Sequence, residues 1–277
     1  MNKQNIRVCV LRTSGTNCDR ETKRAFEEAG VQAEVRRSTQ ITNKDLDQYH
    51  ALVLPGGFSY GDYIRAGAIW AQEIKVRLGR GFQRFVDDNK PILGICNGFQ
   101  VLVEIGLLPA INGTSEYPEM ALATNSSAHY ECRWVTQNEF LYLKHENQGN
   151  CVFTEEIPNG TLLQIPIAHT EGRILFPENR KTAIMQQLIN NDQLVFRFVD
   201  SLGSYPNGQY PTNPNGSMYD ITGLCNPRGN VLGLMPHPER AIYSWQLPES
   251  SLSTERDKYG DGMLIFMSVI HHLENNF

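Results

Sequence analysis

The chain has 277 residues, a formal net charge of −5 and six cysteines. A chain of this length can bury a substantial core without disulfides or metals, and we expect one large α/β domain with insertions. The net negative charge and the scattered basic residues argue against nucleic acid or an anionic membrane as a partner, because both bind clusters of Lys and Arg.

The first residues predict neither a signal peptide nor a membrane span. Their apolar stretch, residues 6–11, is short and contains Arg7. We therefore expect a cytoplasmic protein. Since a reducing compartment disfavours disulfides and no pair has Cys-x-x-Cys spacing, we also expect free thiols.

The first hundred residues alternate apolar runs with longer amphipathic segments, which predicts a parallel sheet flanked by helices. Residues 6–11 form the first predicted strand, and a helix follows from a cap at Asn17 or Asp19 to Glu28, with Gly30 ending it. The next predicted elements are strands at 31–36 and 51–54, a helix at 67–88 with a break near Gly79 and Gly81, a strand at 91–95 and a helix at 98–105.

The second half is richer in short strands. Residues 112–129 are polar and irregular, which predicts an inserted surface loop. Strand-like runs follow at 133–135, 162–167, 194–199, 221–224 and 231–235, separated by Gly, Asn and Pro turns. Residues 262–274 predict a closing amphipathic helix. The predicted fold is a single α/β domain, with a mostly parallel central sheet flanked by helices and added β-strands.

Cys96 lies between the predicted strand at 91–95 and the helix behind it, within Gly94-Ile95-Cys96-Asn97-Gly98. The form Gly-x-nucleophile-x-Gly is typical of a sharp strand-to-helix turn that exposes one side chain. A thiol there faces the helix N-terminus, which favours a thiolate, and the Asn97 amide can donate to an oxyanion. The alternative is a small buried cysteine in a strand-helix turn, and the pattern alone does not choose.

A cysteine nucleophile needs a base and an acceptor that orients the base. Two His-x-Glu sequences qualify, His169-Thr170-Glu171 and His237-Pro238-Glu239, and each follows a predicted strand. In an extended segment the Glu can hold one imidazole nitrogen while the other faces the thiol. Spacing does not decide between the pairs, and a single loop histidine is more often structural.

Pro55-Gly56-Gly57-Phe58 follows a buried strand, where a Gly-Gly turn exposes backbone N–H groups to a ligand. This turn could complete an oxyanion hole with Asn97, or it could be a plain tight turn. Phosphate binding is disfavoured because Asp62 stands where a P-loop requires Lys. A zinc deaminase is disfavoured because His-x-Glu occurs without Pro-Cys-x-x-Cys.

Three motifs occur in a fixed order, Pro55-Gly56-Gly57, Gly94-Ile95-Cys96-Asn97-Gly98-Phe99-Gln100 and Met235-Pro236-His237-Pro238-Glu239-Arg240. Together they resemble the class I (triad) glutamine amidotransferases. Five further segments, at 17–20, 56–62, 132–135, 167–172 and 213–217, narrow the resemblance to the glutaminase subunit of phosphoribosylformylglycinamidine synthase. The resemblance spans nearly the whole chain, and implies a flavodoxin-like fold and a type 1 glutamine amidotransferase domain at residues 4–277.

The resemblance implies that Cys96 attacks glutamine to give a thioester and ammonia, with His237 as general acid and base and Glu239 orienting it. It further implies that the Gly57 and Asn97 amides hold the oxyanion and that Gln100 lies in the glutamine site. We expect His169 and Glu171 to shape the active-site rim. Extra length near 112–125 and 244–259 departs from compact family members.

The implied partners are glutamine, a large synthase subunit and a small accessory subunit, with neither nucleic acid nor membrane. No metal or cofactor is expected in this chain, since ATP and Mg would be used by the large subunit. Two alternatives stay open at this point. One is the glutaminase of another class I amidotransferase, because fold does not fix substrate. The other is a catalytically silent glutamine-binding regulatory subunit, which the intact Cys, His and Glu disfavour.

Overall fold

The computed structural model describes residues 1–136, 139–247 and 258–277. Its α-helices are α1 (Asp19–Glu28), α2 (Asn43–Leu46), α3 (Ala68–Asp87), α4 (Asn97–Glu104), α5 (Lys181–Asn190) and α6 (Gly262–Asn276). Its strands are β1 (Arg7–Arg12), β2 (Gln32–Arg37), β3 (Ala51–Leu54), β4 (Ile92–Ile95), β5 (Ala121–Ala123), β6 (Glu131–Arg133), β7 (Val135–Thr136), β8 (Glu139–Phe140), β9 (Tyr142–His145), β10 (Leu162–Leu163), β11 (Ile167–His169), β12 (Arg173–Leu175), β13 (Leu194–Val199), β14 (Ile221–Cys225) and β15 (Val231–Leu234).

Nine strands of the described ranges form the main sheet, in the order β10-β9-β13-β14-β15-β4-β3-β1-β2. The strands from β15 to β2 run parallel to their neighbours, and those from β10 to β15 run antiparallel. Strands β3, β4 and β15 are buried along their whole length, which explains why they read as continuous apolar runs. The predicted α/β class, a central sheet with helices and added strands, is confirmed.

Helix α1 shows how the flanking layer is attached. Its buried face carries Thr22, Ala25 and Phe26, at the three- and four-residue spacing of an amphipathic helix. The Phe26 ring packs edge-on against Phe266 of α6, with ring centroids 5.0 Å apart and an interplanar angle of 83°. Gly30 follows the helix with a φ of +94°, a left-handed conformation that ends it as predicted.

Two details of the helix predictions are wrong. The residue that caps α1 is Cys18 rather than Asn17 or Asp19, and its side chain makes no capping hydrogen bond. The Cys18 N–H donates instead to the carbonyl of Gly56, which ties the start of α1 to the loop after β3. The position of this helix start is therefore set by a tertiary contact, which local capping rules do not report.

Helix α3 runs without the predicted break near its glycines. The side chain of Asn43, in α2, donates to the Arg77 carbonyl at 3.0 Å and accepts from the Gly81 N–H at 2.7 Å. This amide braces the backbone where two glycines would otherwise weaken the helix. The neighbouring helix therefore supplies the stability that the local sequence lacks.

The second half departs further from the prediction. The expected loop at 112–129 contains β5, which pairs with β12. The run at 162–167 is two strands, β10 and β11, in different sheets, and the run at 133–135 divides between β6 and β7. Elements α2, α5, β9 and β12 were not predicted. Helix α5 buries Ile184 and Leu188, a stripe too short to show a clear helical period.

All six cysteines are free thiols, as predicted. No helix in the described ranges combines the length and the apolar character needed to cross a membrane. Of the two regions of extra length, residues 112–125 include β5, whereas residues 248–257 of the second lie outside the described part of the chain.

The contact between α1 and α6 gives a stability prediction. Phe266 is fully buried, so Phe266→Ala should lower the free energy of unfolding by about 3–5 kcal/mol, through lost burial and the cavity left behind. Urea denaturation followed by circular dichroism measures this. Leu264→Ala is the matched control on the same helix, because Leu264 is 40% exposed and should cost far less. Equal losses for the two variants would contradict the assignment of Phe266 to the core.

Candidate active site

The neighbouring parallel strands β4 and β15 place the predicted nucleophile, Cys96, close to the predicted base, His237. Ile95 of β4 pairs with Leu234 of β15, and the Cys96 N–H donates to the Leu234 carbonyl at 2.8 Å. His237 follows three residues after Leu234. Because the carboxyl ends of parallel strands meet at the same edge of a sheet, the thiol and the imidazole arrive side by side.

Cys96 occupies a strained turn between β4 and α4. Its φ of +50° and ψ of −103° are unusual for a residue with a side chain. A Cβ on Gly94 would lie 2.5 Å from Leu102 Cδ1, and one on Gly98 would lie 1.8 Å from the Leu54 carbonyl oxygen. Only glycine fits on either side of the cysteine, as the motif predicts. The thiol is buried and donates to the Ala168 carbonyl at 3.7 Å.

His237 and Glu239 form a buried pair. The ring Nδ1 lies 2.7 Å from Glu239 Oε1, and both residues are 2% exposed. Since the carboxylate accepts a hydrogen bond from the Nδ1–H, the other ring nitrogen is left for a different partner. Nε2 is buried and has no hydrogen-bond partner among the described residues. This is the arrangement that a base facing Cys96 requires.

The charge state of His237 follows from its neighbours. Burial by itself lowers the pKa of His237, since it disfavours the charged imidazolium. The charge of Glu239 and the interaction with Cys96 outweigh burial, and the pKa of His237 lies well above 6.5. The site therefore favours a charged ring held between a carboxylate and the sulfur.

The first His-x-Glu sequence is arranged differently. His169 Nδ1 lies 3.1 Å from Asn125 Oδ1, whereas a Glu171 carboxylate oxygen accepts from the Ala66 N–H at 3.0 Å. The contacts thus separate two pairs that spacing left equivalent, since only the second Glu is bonded to its histidine. The assignment of His169 and Glu171 to the active-site rim stays a prediction.

A small cavity brings most of the predicted residues together. Its lining residues are Gly57, Phe58, Asp62, Ala66, Cys96, Gln100, Ala168, His169, Thr170 and Glu171. The Gln100 side chain donates to the Glu171 carbonyl and accepts from Asn97 Nδ2 at 3.0 Å. These bonds join the turn at Cys96 to the segment that carries His169.

Sequence reasoning missed three residues of this region. Asn125 contacts His169, although its segment was expected to be a surface loop. Asp62 lines the cavity, and burial together with the charge of Glu171 raises its pKa to about 6. Cys18 lies 4.0 Å from His237 Nδ1 and accepts from Arg240 Nη2 at 3.0 Å. Asp62 ends the motif 56–62, which was the available signal for it.

Cys18 could be mistaken for a second nucleophile or a metal ligand. Burial raises the pKa of its thiol to about 11, so it stays protonated at neutral pH. The ligand atoms of Cys18, His237 and Glu239 lie within 4.8 Å of one another, a spacing that a divalent metal can use. The hydrogen bond between His237 and Glu239 and the guanidinium of Arg240 occupy these atoms, which suits proton transfer better than metal binding.

Comparison with known proteins agrees with this geometry. The sequence profile of the CobB/CobQ-like glutamine amidotransferase domain matches residues 5–273. The chain belongs to this glutamine amidotransferase family. The resemblance seen in the motifs is thereby confirmed.

The relatives of this amidotransferase are similar over their whole length. The phosphoribosylformylglycinamidine synthase subunit PurQ of Archaeoglobus fulgidus is 44% identical, with 99% of each chain covered. The protein of the same name from Methanococcus maripaludis is 42% identical over 90% of this chain and 88% of its own. A chain of the solved structure of PurLQS from Thermotoga maritima is 33% identical, with a TM-score of 0.71, and the match covers 98% of this chain and 100% of that one.

Removing the negative charge of Glu239 tests what sets the pKa of His237. Glu239→Gln keeps a side-chain acceptor but loses the charge that raises the pKa of His237, so burial should dominate and the pKa should fall. The folded protein would then lose the imidazolium at a lower pH. NMR titration of the His237 ring measures the shift.

Glu21→Gln is the matched control, because Glu21 is a half-buried carboxylate that pairs with Arg240 instead of His237. It should leave the His237 titration in place. An unchanged His237 pKa in Glu239→Gln would show that this carboxylate does not set the charge of the ring.

Proposed function

We propose that the chain is the glutaminase subunit of phosphoribosylformylglycinamidine synthase. It hydrolyses glutamine to glutamate and ammonia, and the synthase uses the ammonia for ATP-dependent conversion of formylglycinamide ribonucleotide to formylglycinamidine ribonucleotide in de novo purine biosynthesis. The observation that carries this proposal is the buried His237–Glu239 pair beside Cys96, at the carboxyl edge of two adjacent strands. Relatives that match the chain end to end supply the choice of synthase.

The first half of the reaction forms a thioester. The Cys96 sulfur attacks the carboxamide carbon of glutamine, and the carbonyl oxygen becomes an oxyanion. The C–N bond then breaks as the imidazolium of His237 gives its proton to the leaving nitrogen, which departs as ammonia. Glu239 holds the ring through Nδ1 and stabilises its positive charge.

The second half returns the enzyme to its starting state. His237 accepts a proton from water as the water oxygen attacks the thioester carbon, and the C–S bond breaks. Glutamate leaves, the sulfur regains its charge and the ring is again an imidazolium. The new carboxyl group releases its proton to solvent, so one glutamine and one water give one glutamate, one ammonia and one proton.

The cavity supplies the binding groups for these steps. Backbone amides of Gly57 and Asn97 would hold the oxyanion, since Gly57 lines the cavity and Asn97 begins α4 beside the nucleophile. Gln100 lies in the same cavity, where the substrate must enter to reach Cys96. The hydrogen bonds of Gln100 fix the part of the cavity wall that glutamine would contact.

The proposal extends to the assembly. Ammonia passes to a large synthase subunit, with a small accessory subunit completing the complex, in keeping with the related structure of PurLQS from Thermotoga maritima. The large subunit uses ATP and Mg. Residues 4–277 of this chain form one type 1 glutamine amidotransferase domain, which has no cofactor of its own. We place the complex in the cytoplasm, with neither nucleic acid nor membrane as a partner.

Separating glutamine hydrolysis from ammonia use tests this function. In the assembled synthase, Cys96→Ala should abolish glutamine-dependent amidine formation, because no thioester can form, while added ammonium salt still supports the reaction. Amidine formation from formylglycinamide ribonucleotide and ATP measures both activities. Cys132→Ala is the matched control, since Cys132 is exposed and free, and it should retain both.

Loss of both activities in Cys96→Ala would instead assign this cysteine a structural role. Covalent labelling gives an independent readout: a diazo-ketone analogue of glutamine should modify Cys96 among the six free thiols. Mass spectrometry locates the adduct, and labelling at Cys18 or at several cysteines would contradict the proposed nucleophile.

A further inference from the structure

His169 is a buried side chain that takes no part in the reaction steps above. It is 3% exposed and lines the cavity that contains Cys96. Its Nε2 is buried and makes no hydrogen bond within the described chain. Leaving a buried polar atom unpaired costs about 1–3 kcal/mol, so such an atom in a ligand cavity indicates a partner that arrives with the ligand.

The hydrogen bonds of Asn125 determine which ring nitrogen of His169 carries the proton. Asn125 Nδ2 donates to the carbonyl oxygens of His129 at 3.0 Å and His169 at 2.8 Å. Its Oδ1 therefore faces the other way, where it accepts from the Gly172 N–H at 3.3 Å. The His169 Nδ1 contacts this same oxygen, so Nδ1 must be the protonated nitrogen and Nε2 presents a lone pair.

The ring is held in this neutral form. Burial, together with the charge of His237, lowers the pKa of His169 to about 3. Among the residues that the structure describes, no anion is bonded to the ring, and the Glu171 carboxylate accepts from the Ala66 N–H. His169 is therefore neutral near pH 7.

We propose that His169 Nε2 accepts a hydrogen bond from the carboxamide nitrogen of glutamine and, once the C–N bond has broken, from the ammonia molecule. This role rests on the proposed glutaminase function and adds a positioning residue to it. No proton is transferred at His169, because its lone pair only accepts the hydrogen bond. The nitrogen receives its proton from His237, as in the steps above.

A lone pair at this position would orient the substrate. The carboxamide has one end that donates and one that accepts, and Nε2 attracts the NH₂ end while it repels the carbonyl oxygen. The carbonyl oxygen is then directed toward the amides of Gly57 and Asn97. The same lone pair disfavours the carboxylate of glutamate, which has no donor to offer, so it discriminates substrate from product.

The neutral state of the His169 ring also matters for the ammonia that the reaction forms. A protonated imidazole beside newly formed ammonia would give up its proton and yield ammonium, which cannot attack an electrophile. A histidine that stays neutral accepts a hydrogen bond from ammonia without converting it to ammonium. His169 thus complements His237, which must exchange protons in each half of the reaction.

Comparing two substrates of the assembled synthase tests this role. L-Glutamate γ-methyl ester reaches the same thioester but has no N–H on its leaving group. For His169→Ala, kcat/KM for glutamine should fall about 10-fold to 100-fold, which corresponds to roughly 1.4–2.8 kcal/mol. Hydrolysis of the ester should stay within about twofold of wild type, as should ammonia-dependent amidine formation.

His169→Gln should recover part of the glutamine activity, since its side-chain oxygen can accept the same bond. His271→Ala, which removes an exposed histidine on α6, is the control and should change neither substrate. Equal losses for amide and ester, or no loss for either, would overturn the role of His169. Failure of the wild-type complex to hydrolyse either substrate would count instead against the glutaminase function.

Discussion

The active site depends on a buried imidazole, that of His237, whose pKa is raised by its neighbours although burial would lower it. His237 is buried between Glu239 and Cys96, and burial alone would remove its charge. The charge persists because β4 and β15 pair in parallel, with Ile95 opposite Leu234, so the residues that follow them meet at one edge. A shift of one residue in this register would turn each side chain to the opposite face and separate sulfur from ring.

The two His-x-Glu sequences show that the partner, rather than the motif, sets the ionisation of a buried histidine. His237 contacts a carboxylate and its pKa is raised, whereas His169 contacts the amide of Asn125 and its pKa falls to about 3. Both rings are almost fully buried, so exposure does not explain the difference. A charged ring suits proton transfer, and a neutral ring suits hydrogen bonding to an uncharged donor.

Sequence patterns predicted those features that short segments encode. The turn at Cys96, the parallel strands around it and the His237–Glu239 spacing each lie within a few residues. The contacts of Asn125 with His169 and of Cys18 with His237 join residues 44 and 219 positions apart, and no local period reports them. The short strand β12 and the helix α5 were missed for a related reason, since their stability comes from packing against other elements.

The proposed catalytic groups are held in two different ways. Cys96 and His237 follow strands of the main sheet, whose backbone pairing fixes their separation. Gly57 lies in a loop that is held by a second loop: the Phe58 N–H donates to the Gly15 carbonyl at 2.9 Å, and the Cys18 N–H donates to the Gly56 carbonyl at 3.2 Å. The Tyr60 N–H also donates to the Ser14 carbonyl at 2.8 Å, so several bonds between the two loops fix the position of Gly57. The separation of Cys96 from His237 is therefore set by the main sheet, and the position of Gly57, the proposed oxyanion donor, is set by contacts between two loops.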